Sequence, residues 1–275
     1  MAGDLVIIVQ ARAGGTRFPG KVLMPLLGQS LLLWVLDRLS HVQVPHELVV
    51  ACPDTPGNEA IAELCDNHGY PCELVPVPEN DVLARYVWVA DKYNARDILR
   101  CTADCPLIDP RVIDQLVAFH RWHTLPRYDH TGIGSYWPDG QDCEIISRNA
   151  HEIAHREGIP PSEREHCSSF IWSHPERFHL GNFPCSFDLS WQKYSVDIPE
   201  DLDHVERLLG FCIDRYGHIF GWREIWHAIT CYKGIEASMR ANVRNIAYVE
   251  QVAKERGLTE VPEWNTIRYG KVGET

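Results

Sequence analysis

The chain reads as α/β: an open, mostly parallel sheet with helices on both faces. Three observations carry this. Leu5-Val6-Ile7-Ile8-Val9 is an unbroken apolar run, as a strand covered on both faces requires. Strand-like and helix-like segments then alternate through the first half with short connections, the pattern of parallel strands joined by crossover helices. Glycine-rich, basic or acidic residues follow directly on the strand-like runs, where ligands bind in such sheets.

The elements follow in order. Leu31 to Leu39 places Leu32, Val35, Leu36 and Leu39 on one helical face. Glu47 to Ala51 is a second strand, broken by Pro53-Asp54-Thr55-Pro56-Gly57. Asn58 then stands where it can cap a helix running to about Asn67. Glu73 to Val77 is a third extended segment, Asp81 to Tyr93 a helix, and Ile98 to Thr102 a fourth strand. From about residue 127 to 187 the pattern loosens around Gly132-Ile133-Gly134, Pro138-Asp139-Gly140 and Pro160-Pro161, which fits a small antiparallel insertion. Helical spacing returns at Pro199 to Tyr216, Gly221 to Thr230 and Asn245 to Gly257, and the tail after Pro262 reads as loosely structured. No compositional boundary divides the chain. Residues 1–220 are taken as one domain and 221–275 as a C-terminal helical extension.

Composition narrows the function. The 275 residues carry a formal net charge of −12, which argues against nucleic acid as a partner but leaves room for a nucleotide bound by a few local cations. No apolar stretch is long enough to span a bilayer, and no basic segment precedes the Leu5–Val9 run, so a cytoplasmic protein is expected. Ten cysteines are scattered with no Cys-x-x-Cys pair, as reduced thiols would be. Fourteen histidines raise a zinc hypothesis, but most stand alone among loop-forming residues, and no zinc site is expected.

The most informative segment is Gln10-Ala11-Arg12-Ala13-Gly14-Gly15-Thr16-Arg17-Phe18-Pro19-Gly20-Lys21, directly after the first strand. Adjacent Gly14 and Gly15 permit a sharp turn and close approach of backbone to ligand, and their N–H groups suit phosphate oxygens. Arg12, Arg17 and Lys21 supply cations for the negative charges of a triphosphate. Gly15 and Gly20-Lys21 have Walker-loop spacing, but Val22 stands where that loop needs a hydroxyl, and the dinucleotide fingerprint is absent. The competing reading is a basic surface turn.

Two aspartates complete the pattern. Asp104, in Thr102-Ala103-Asp104-Cys105-Pro106, ends the fourth strand. Asp197, in Tyr194-Ser195-Val196-Asp197-Ile198-Pro199, ends a short extended segment before a helix. Mg²⁺ is commonly held by one or two carboxylates plus substrate phosphates and water. Each aspartate could equally cap a helix. Glu200 and Asp201 fall in the first turn of the following helix, where the dipole favours acids.

These motifs together resemble the spore-coat-polysaccharide type of cytidylyltransferase, a family related to the CMP-Kdo and CMP-sialic acid synthetases. The resemblance rests on Val9-Gln10-Ala11-Arg12 through Gly20-Lys21-Val22-Leu23, Asp81-Val82-Leu83-Ala84-Arg85-Tyr86, Ala103 through Pro110, Arg164-Glu165-His166, and Val196 through Leu202, with Pro138 through Glu144 as a further match. It covers roughly residues 5 to 210. It implies a nucleotide-diphospho-sugar-transferase-like fold and a cytoplasmic, Mg²⁺-dependent homodimer that moves CMP from CTP onto a small-molecule acceptor, an acidic sugar or related polyol. Polysaccharide biosynthesis is the implied setting. Arg12, Arg17, Lys21 and Asp104 would be catalytic. Gln10, Ala11, Gly14, Gly15, Thr16, Asp81, Arg85 and Ala103 would bind nucleotide. Asp104 and Asp197 would hold the metal, and Glu144, Glu165 and His166 would line the acceptor side. Gly15 stands where the family often has Ser, Phe18 where it has Leu, and Ala84 where an acidic or small residue is common.

Other readings remain. A phosphonate or phosphorylated-polyol cytidylyltransferase differs only in acceptor. A nucleotide-sugar-dependent glycosyltransferase would want Asp-x-Asp where this chain has Ala103-Asp104-Cys105. A non-catalytic nucleotide-binding module would have little need of Lys21, Asp104 and Asp197. For Trp222, Trp226, His218 and His227, helix packing or a dimer contact is the expected role.

Overall fold

The computed structural model describes residues 4–15, 17–234, 238–239 and 246–257. In chain order the elements are β1 (Leu5–Gln10), a 3₁₀ turn (Lys21–Leu23), the short strands β2 (Pro25–Leu26) and β3 (Gln29–Ser30), α1 (Leu31–Ser40), β4 (Glu47–Pro53), α2 (Glu59–Asn67), β5 (Cys72–Val75), α3 (Val82–Lys92), β6 (Asp97–Thr102) and α4 (Pro110–Trp122). There follow β7 (His130–Ile133), β8 (Glu144–Ser147), α5 (Arg148–Glu157), α6 (Pro161–Glu165), α7 (Ser169–Trp172), β9 (Leu180–Phe183), β10 (Gln192–Lys193), α8 (Pro199–Tyr216), α9 (Trp222–Cys231), β11 (Ser238–Met239) and α10 (Ile246–Glu255).

The main sheet has seven strands in the order β5-β4-β1-β6-β8-β7-β9. Pairings are parallel from β5 to β6 and between β7 and β9, while β8 runs antiparallel to both its neighbours. The strands of the 127–187 region therefore extend the main sheet, with the antiparallel character confined to β8. The reason is that β8 offers Ile145 and Ile146 to opposite faces, and both are fully covered.

The apolar run of β1 is divided between two cores. Leu5, Ile7 and Val9 face one, built with Leu32, Val35 and Leu36 of α1, Ile113 and Leu116 of α4, and Leu208 and Leu209 of α8. Val6 and Ile8 face the other, built with Leu83, Tyr86 and Val89 of α3 and Ala150 and Ala154 of α5. Alternation of side chains along a strand produces this division, and burial on both faces explains why no polar residue interrupts the run.

The described helices beyond residue 220 join this body. Ile225 and Ala228 of α9 are part of the first core. Buried Arg38 donates to the Ile108 and Phe220 carbonyls, both at 2.6 Å, fixing the chain ahead of α9. Tyr248 on α10 packs against Trp172 and His166, and Glu255 accepts from the Ser162 N–H at 2.9 Å. The expected tail beyond Pro262, and Asn245 at the start of the last helix, lie outside the described residues. No helix among the described residues is long and apolar enough to cross a membrane. All ten cysteines are free thiols.

Candidate active site

The loop after β1 is a closed, pinned structure. Gly20 donates its N–H to the Ala13 carbonyl at 2.8 Å, and Lys21 and Leu23 begin the 3₁₀ turn immediately afterwards. Gly20 has φ +70, a left-handed conformation that costs glycine little. Half-buried Phe18 packs on the first core and anchors the loop tip. At the loop's base, Ala13 donates to Asn58 Oδ1 at 2.8 Å. Asn58 stands at the N-cap position of α2 but makes no cap with its side chain, because that side chain is spent on the loop and on Thr55. Thr16 lies outside the described residues. Of the remaining loop glycines, Gly14 lies so close to Glu79 that an added Cβ would sit 2.6 Å from Glu79 Oε1, and Gly15 would meet the Phe18 carbonyl at 3.3 Å.

Lys21 runs from this loop to the carboxylates. Its Nζ donates to Asp104 Oδ2 at 2.8 Å and to the Val196 carbonyl at 2.7 Å, and stands 3.7 Å from Asp197 Oδ1. Arg17 Nη2 donates to the same Asp197 oxygen at 3.0 Å. The backbone joins these strand ends as well: Val196 donates its N–H to the Asp104 carbonyl at 2.9 Å, and Ala103 donates to the Gln10 carbonyl at 3.2 Å. Neither aspartate caps a helix. The caps of α4 and α8 lie at Asp109 and Ile198.

The electrostatics follow from this packing. Burial alone would lower the Lys21 pKa, but the charge and hydrogen bond of Asp104, with Asp197, leave it raised. Burial pushes the Asp104 carboxyl up, yet Lys21 with hydrogen bonds from Thr102 and Cys105 holds it well below the usual carboxylate range. Asp104 is therefore held ionised, and both aspartates are turned toward one cation. Two hard oxygen donors facing a shared cationic centre, with phosphates and water to complete the shell, match what Mg²⁺ takes. The Lys21 ammonium is the cation they share here. No third His, Cys, Asp or Glu joins them in a metal-binding group among the described residues.

A further loop steadies this end. Buried Gln141 accepts the Asp109 N–H at 2.9 Å and donates to the Leu107 carbonyl at 2.7 Å, binding the 138–143 segment to the loop that carries Asp104. Gly140 has φ +99, and an added Cβ would lie 2.7 Å from the Ser195 nitrogen, so the close approach of this segment to residues 194–195 depends on glycine.

On the nucleotide side the expected residues are spread along a rim. Gln10 Oε1 accepts from Tyr86 OH at 3.3 Å, and buried Ala11 continues the sheet by donating to the Ala51 carbonyl at 3.1 Å. Arg12 does not meet Lys21. Its guanidinium reaches Glu79 at 3.5 Å, Asn80 at 3.4 Å and Glu165 at 3.8 Å. Asp81 caps α3 by accepting from Ala84 at 3.0 Å and pairs through its other oxygen with Arg164 at 2.5 Å. Buried Arg85 donates to the Glu79 carbonyl at 2.7 Å.

On the acceptor side the three expected residues do not converge. Glu144 is buried, and its carboxylate is engaged by Arg100 at 3.0 Å, Ser168 at 2.8 Å and His130 at 2.7 Å. Glu165 turns to Arg12. His166 stacks edge-on against Tyr248, with ring centroids 4.7 Å apart, and burial lowers its pKa to about 4. Residues outside the expected set, namely Asn58, Glu79, Lys193 and Asp201, complete the arrangement. Only Asn58 and Asp201 carry a sequence signal, and in sequence both read as helix-start residues.

The expectation of no zinc site passes over one spacing. His151-Glu152-Ile153-Ala154-His155 on α5 has the His-Glu-x-x-His pattern of zinc-peptidase helices. His151 is fully buried beside Tyr86, while Glu152 pairs with Arg148 at 2.8 Å. Glu152, the general base of that pattern, is thus paired within its own helix, and these residues form no metal group among the described ones.

Comparison with known proteins identifies the family. A cytidylyltransferase family model matches residues 6–216. The spore coat polysaccharide biosynthesis protein SpsF of Bacillus subtilis (strain 168) is 27% identical over 212 residues, covering 74% of this chain and 86% of that protein. The 3-deoxy-manno-octulosonate cytidylyltransferase of Geobacter sulfurreducens is 30% identical over 115 residues, 42% of this chain and 44% of that one. A solved cytidylyltransferase structure from Leptospira borgpetersenii serovar Hardjo-bovis superposes with a TM-score of 0.79 at 25% identity, covering 87% of this chain and 99% of that one. A CMP:2-keto-3-deoxy-manno-octonic acid synthetase complexed with CTP superposes at TM-score 0.60 and 17% identity, over 76% of this chain and 99% of that one, a likeness of fold. With its match covering most of the chain and its glycine loop, lysine and paired aspartates brought to one place, the chain belongs to the cytidylyltransferase family of CTP-dependent nucleotidyltransferases.

Proposed function

We propose that this protein transfers CMP from CTP to a small acceptor, an acidic sugar or related polyol, with release of pyrophosphate. The observation that carries this reading is the convergence of Lys21, Asp104 and Asp197 at the mouth of the glycine loop. An acceptor oxygen attacks the α-phosphorus in line, an O–P bond forms, and the bond to pyrophosphate breaks while the acceptor proton leaves to water or to the neutral His166. Positioning and charge stabilisation dominate such a reaction. Arg17 and Lys21 stabilise charge on pyrophosphate, and Arg12 exchanges its carboxylate partners for phosphate oxygens. Gln10, Ala11, Gly14, Gly15, Thr16 and Ala103 line the nucleotide, with Arg85 beside its ribose and base and Asp81 acting there through the position of α3. Glu165 and His166 are assigned to the acceptor side on the family resemblance, with Glu144 as a structural support through Arg100, Ser168 and His130. Asp104 and Asp197 would hold Mg²⁺, which supplies charge neutralisation at the phosphates and lowers the pKa of a nearby attacking oxygen.

The free thiols suit a reducing, cytoplasmic setting. A homodimer is proposed on the exposed aromatics Phe187, Trp191 and Trp226, and sedimentation analysis reads it directly. The transferase reading is tested by incubating the protein with CTP, Mg²⁺ and pools of acidic sugars, polyols and phosphonates, then measuring pyrophosphate and searching by mass for CMP adducts. Asp104→Ala should fold normally and lose about 10³-fold in pyrophosphate release, the scale of removing a preorganised charge-stabilising group. Near-wild-type release by that variant would sink the metal assignment.

A further inference from the structure

Asp197 has two oxygens, and they face different cations. Oδ1 takes Arg17 at 3.0 Å and Lys21 at 3.7 Å. Oδ2 takes Lys193 at 3.4 Å. Arg17 and Lys21 belong to the phosphate loop and lie partly in solvent. Lys193 does not: it is buried on β10, whose backbone is held on both sides by pairing with β11 and with Asp139. Its Nζ also makes a close ion pair with buried Asp201.

Asp201 Oδ2 is a junction. Besides Lys193 it accepts the backbone N–H of Asp197 at 2.8 Å and of Ile198 at 3.1 Å. One carboxylate oxygen thus closes the turn that carries Asp197, and the lysine that neutralises it also reaches the Asp197 side chain. The chain between Lys193 and Asp201 is pinned at both ends around the aspartate.

We propose that Lys193, held by Asp201, is the positioning residue that fixes Asp197 with Oδ1 turned into the active centre. The proposal rests on the reading of Asp197 as a metal ligand. Its physical logic is a division of labour among cations. When CTP enters, Arg17 and Lys21 turn to phosphate oxygens and leave Asp197. Lys193 remains, because moving it would strand the buried Asp201 carboxylate without its counter-ion. Carboxylate orientation is then kept by a group that never touches substrate, as outer-shell partners do for metal ligands generally.

The test measures metal binding without turnover. Mn²⁺ is titrated into the full chain with CTP present and acceptor absent, and free Mn²⁺ is read by electron paramagnetic resonance against CTP alone. Lys193→Met should weaken Mn²⁺ binding to the protein–CTP complex about tenfold or more, within the range typical of outer-shell changes, and Lys193→Arg should recover it to within about threefold. Since Lys193→Met strands Asp201, the double variant Lys193→Met/Asp201→Asn serves as its partner. The asparagine oxygen still accepts both backbone N–H groups, so the turn can close, and the weakened Mn²⁺ binding should persist at wild-type circular dichroism. Wild-type Mn²⁺ affinity in the folded double variant, alongside a loss in Asp197→Asn, would overturn the positioning role and leave the metal reading standing. Wild-type affinity in Asp197→Asn itself would overturn both.

Discussion

The two ends of the site are built differently. At the phosphate end, Lys21, Asp104 and Asp197 arrive from chain positions far apart and meet around one ammonium group, partly open to solvent. At the acceptor end and the nucleotide rim that adjoins it, each charged group is already committed: Glu144 to Arg100 and His130, Glu165 to Arg12, and Asp81 to Arg164. The first is an assembly poised to exchange partners with a ligand. The second is a framework whose partners lie within the protein. A ligand recruits the first by offering phosphate oxygens, but gains nothing from the second unless it displaces a buried or part-buried pair.

The largest effect expected from this contrast is at Glu144. Glu144→Ala leaves the part-buried Arg100 guanidinium without its carboxylate, and strips buried Ser168 and His130 of their partner on Glu144. Breaking one side of a buried pair costs about 3–5 kcal/mol. Chemical denaturation should show a loss of that size, with any fall in activity tracking the folded fraction. A variant of wild-type stability that instead needs far more acceptor would erase the contrast and make Glu144 a ligand-binding group.

The contrast also explains what was legible in the sequence. Gln10, Asp104 and the glycine loop were readable because a strand's apolar run fixes where the strand ends, and residues just past parallel strand ends are delivered to the ligand-binding edge. The side chains of the acceptor end were not readable in this way. Glu144 lies opposite Arg100 in the β6–β8 register, and a strand buried on both faces has no polar alternation to reveal which way its acid points. Asn58 reads as a helix cap because local capping is the role that local sequence can express, whereas its partner at Ala13 is 45 residues away. Lys193 gave no signal for the same reason: its meaning depends on the turn closed by Asp201.

A second effect, of intermediate size, separates the two ends by pH. Fully buried His151 packs beside Tyr86 of the second core, and burial lowers its pKa to about 3. In the unfolded chain an imidazole titrates near 6.5. Below that pH the unfolded state takes up a proton that the folded state refuses, so the stability this group contributes is complete above about pH 6.5 and declines as pH falls toward 3. Each unit of pH costs about 1.4 kcal/mol in that window. His166, depressed to about 4 by burial, acts in the same direction. The phosphate-end carboxylate Asp104 is depressed as an acid, so its contribution is lost only below the ordinary carboxylate range. Urea denaturation at about pH 7 and about pH 5 should therefore show His151→Leu losing about 2 kcal/mol less than the wild type over that interval. Equal losses in both proteins would mean that His151 is not kept neutral by its surroundings.

The smallest effect falls on Asp81, which stands where the two ends adjoin. One of its oxygens caps α3 and the other pairs with Arg164, and both side chains are partly exposed. Asn caps a helix as well as Asp does, so Asp81→Asn removes the ion pair and keeps the cap. Ion pairs with solvent access contribute about 0.2–1 kcal/mol, and the variant should lose no more than that in chemical denaturation. The stabilisation produced by CTP and Mg²⁺ in a thermal-shift measurement should stay close to that of the wild type, since Asp81 acts here through the position of α3. Asp81→Ala, which also removes the cap, should cost about 1 kcal/mol more. If Asp81→Asn abolished the CTP-dependent shift while leaving the unliganded protein as stable as before, Asp81 would contact the nucleotide directly and would move from the committed framework to the exchangeable half of the site.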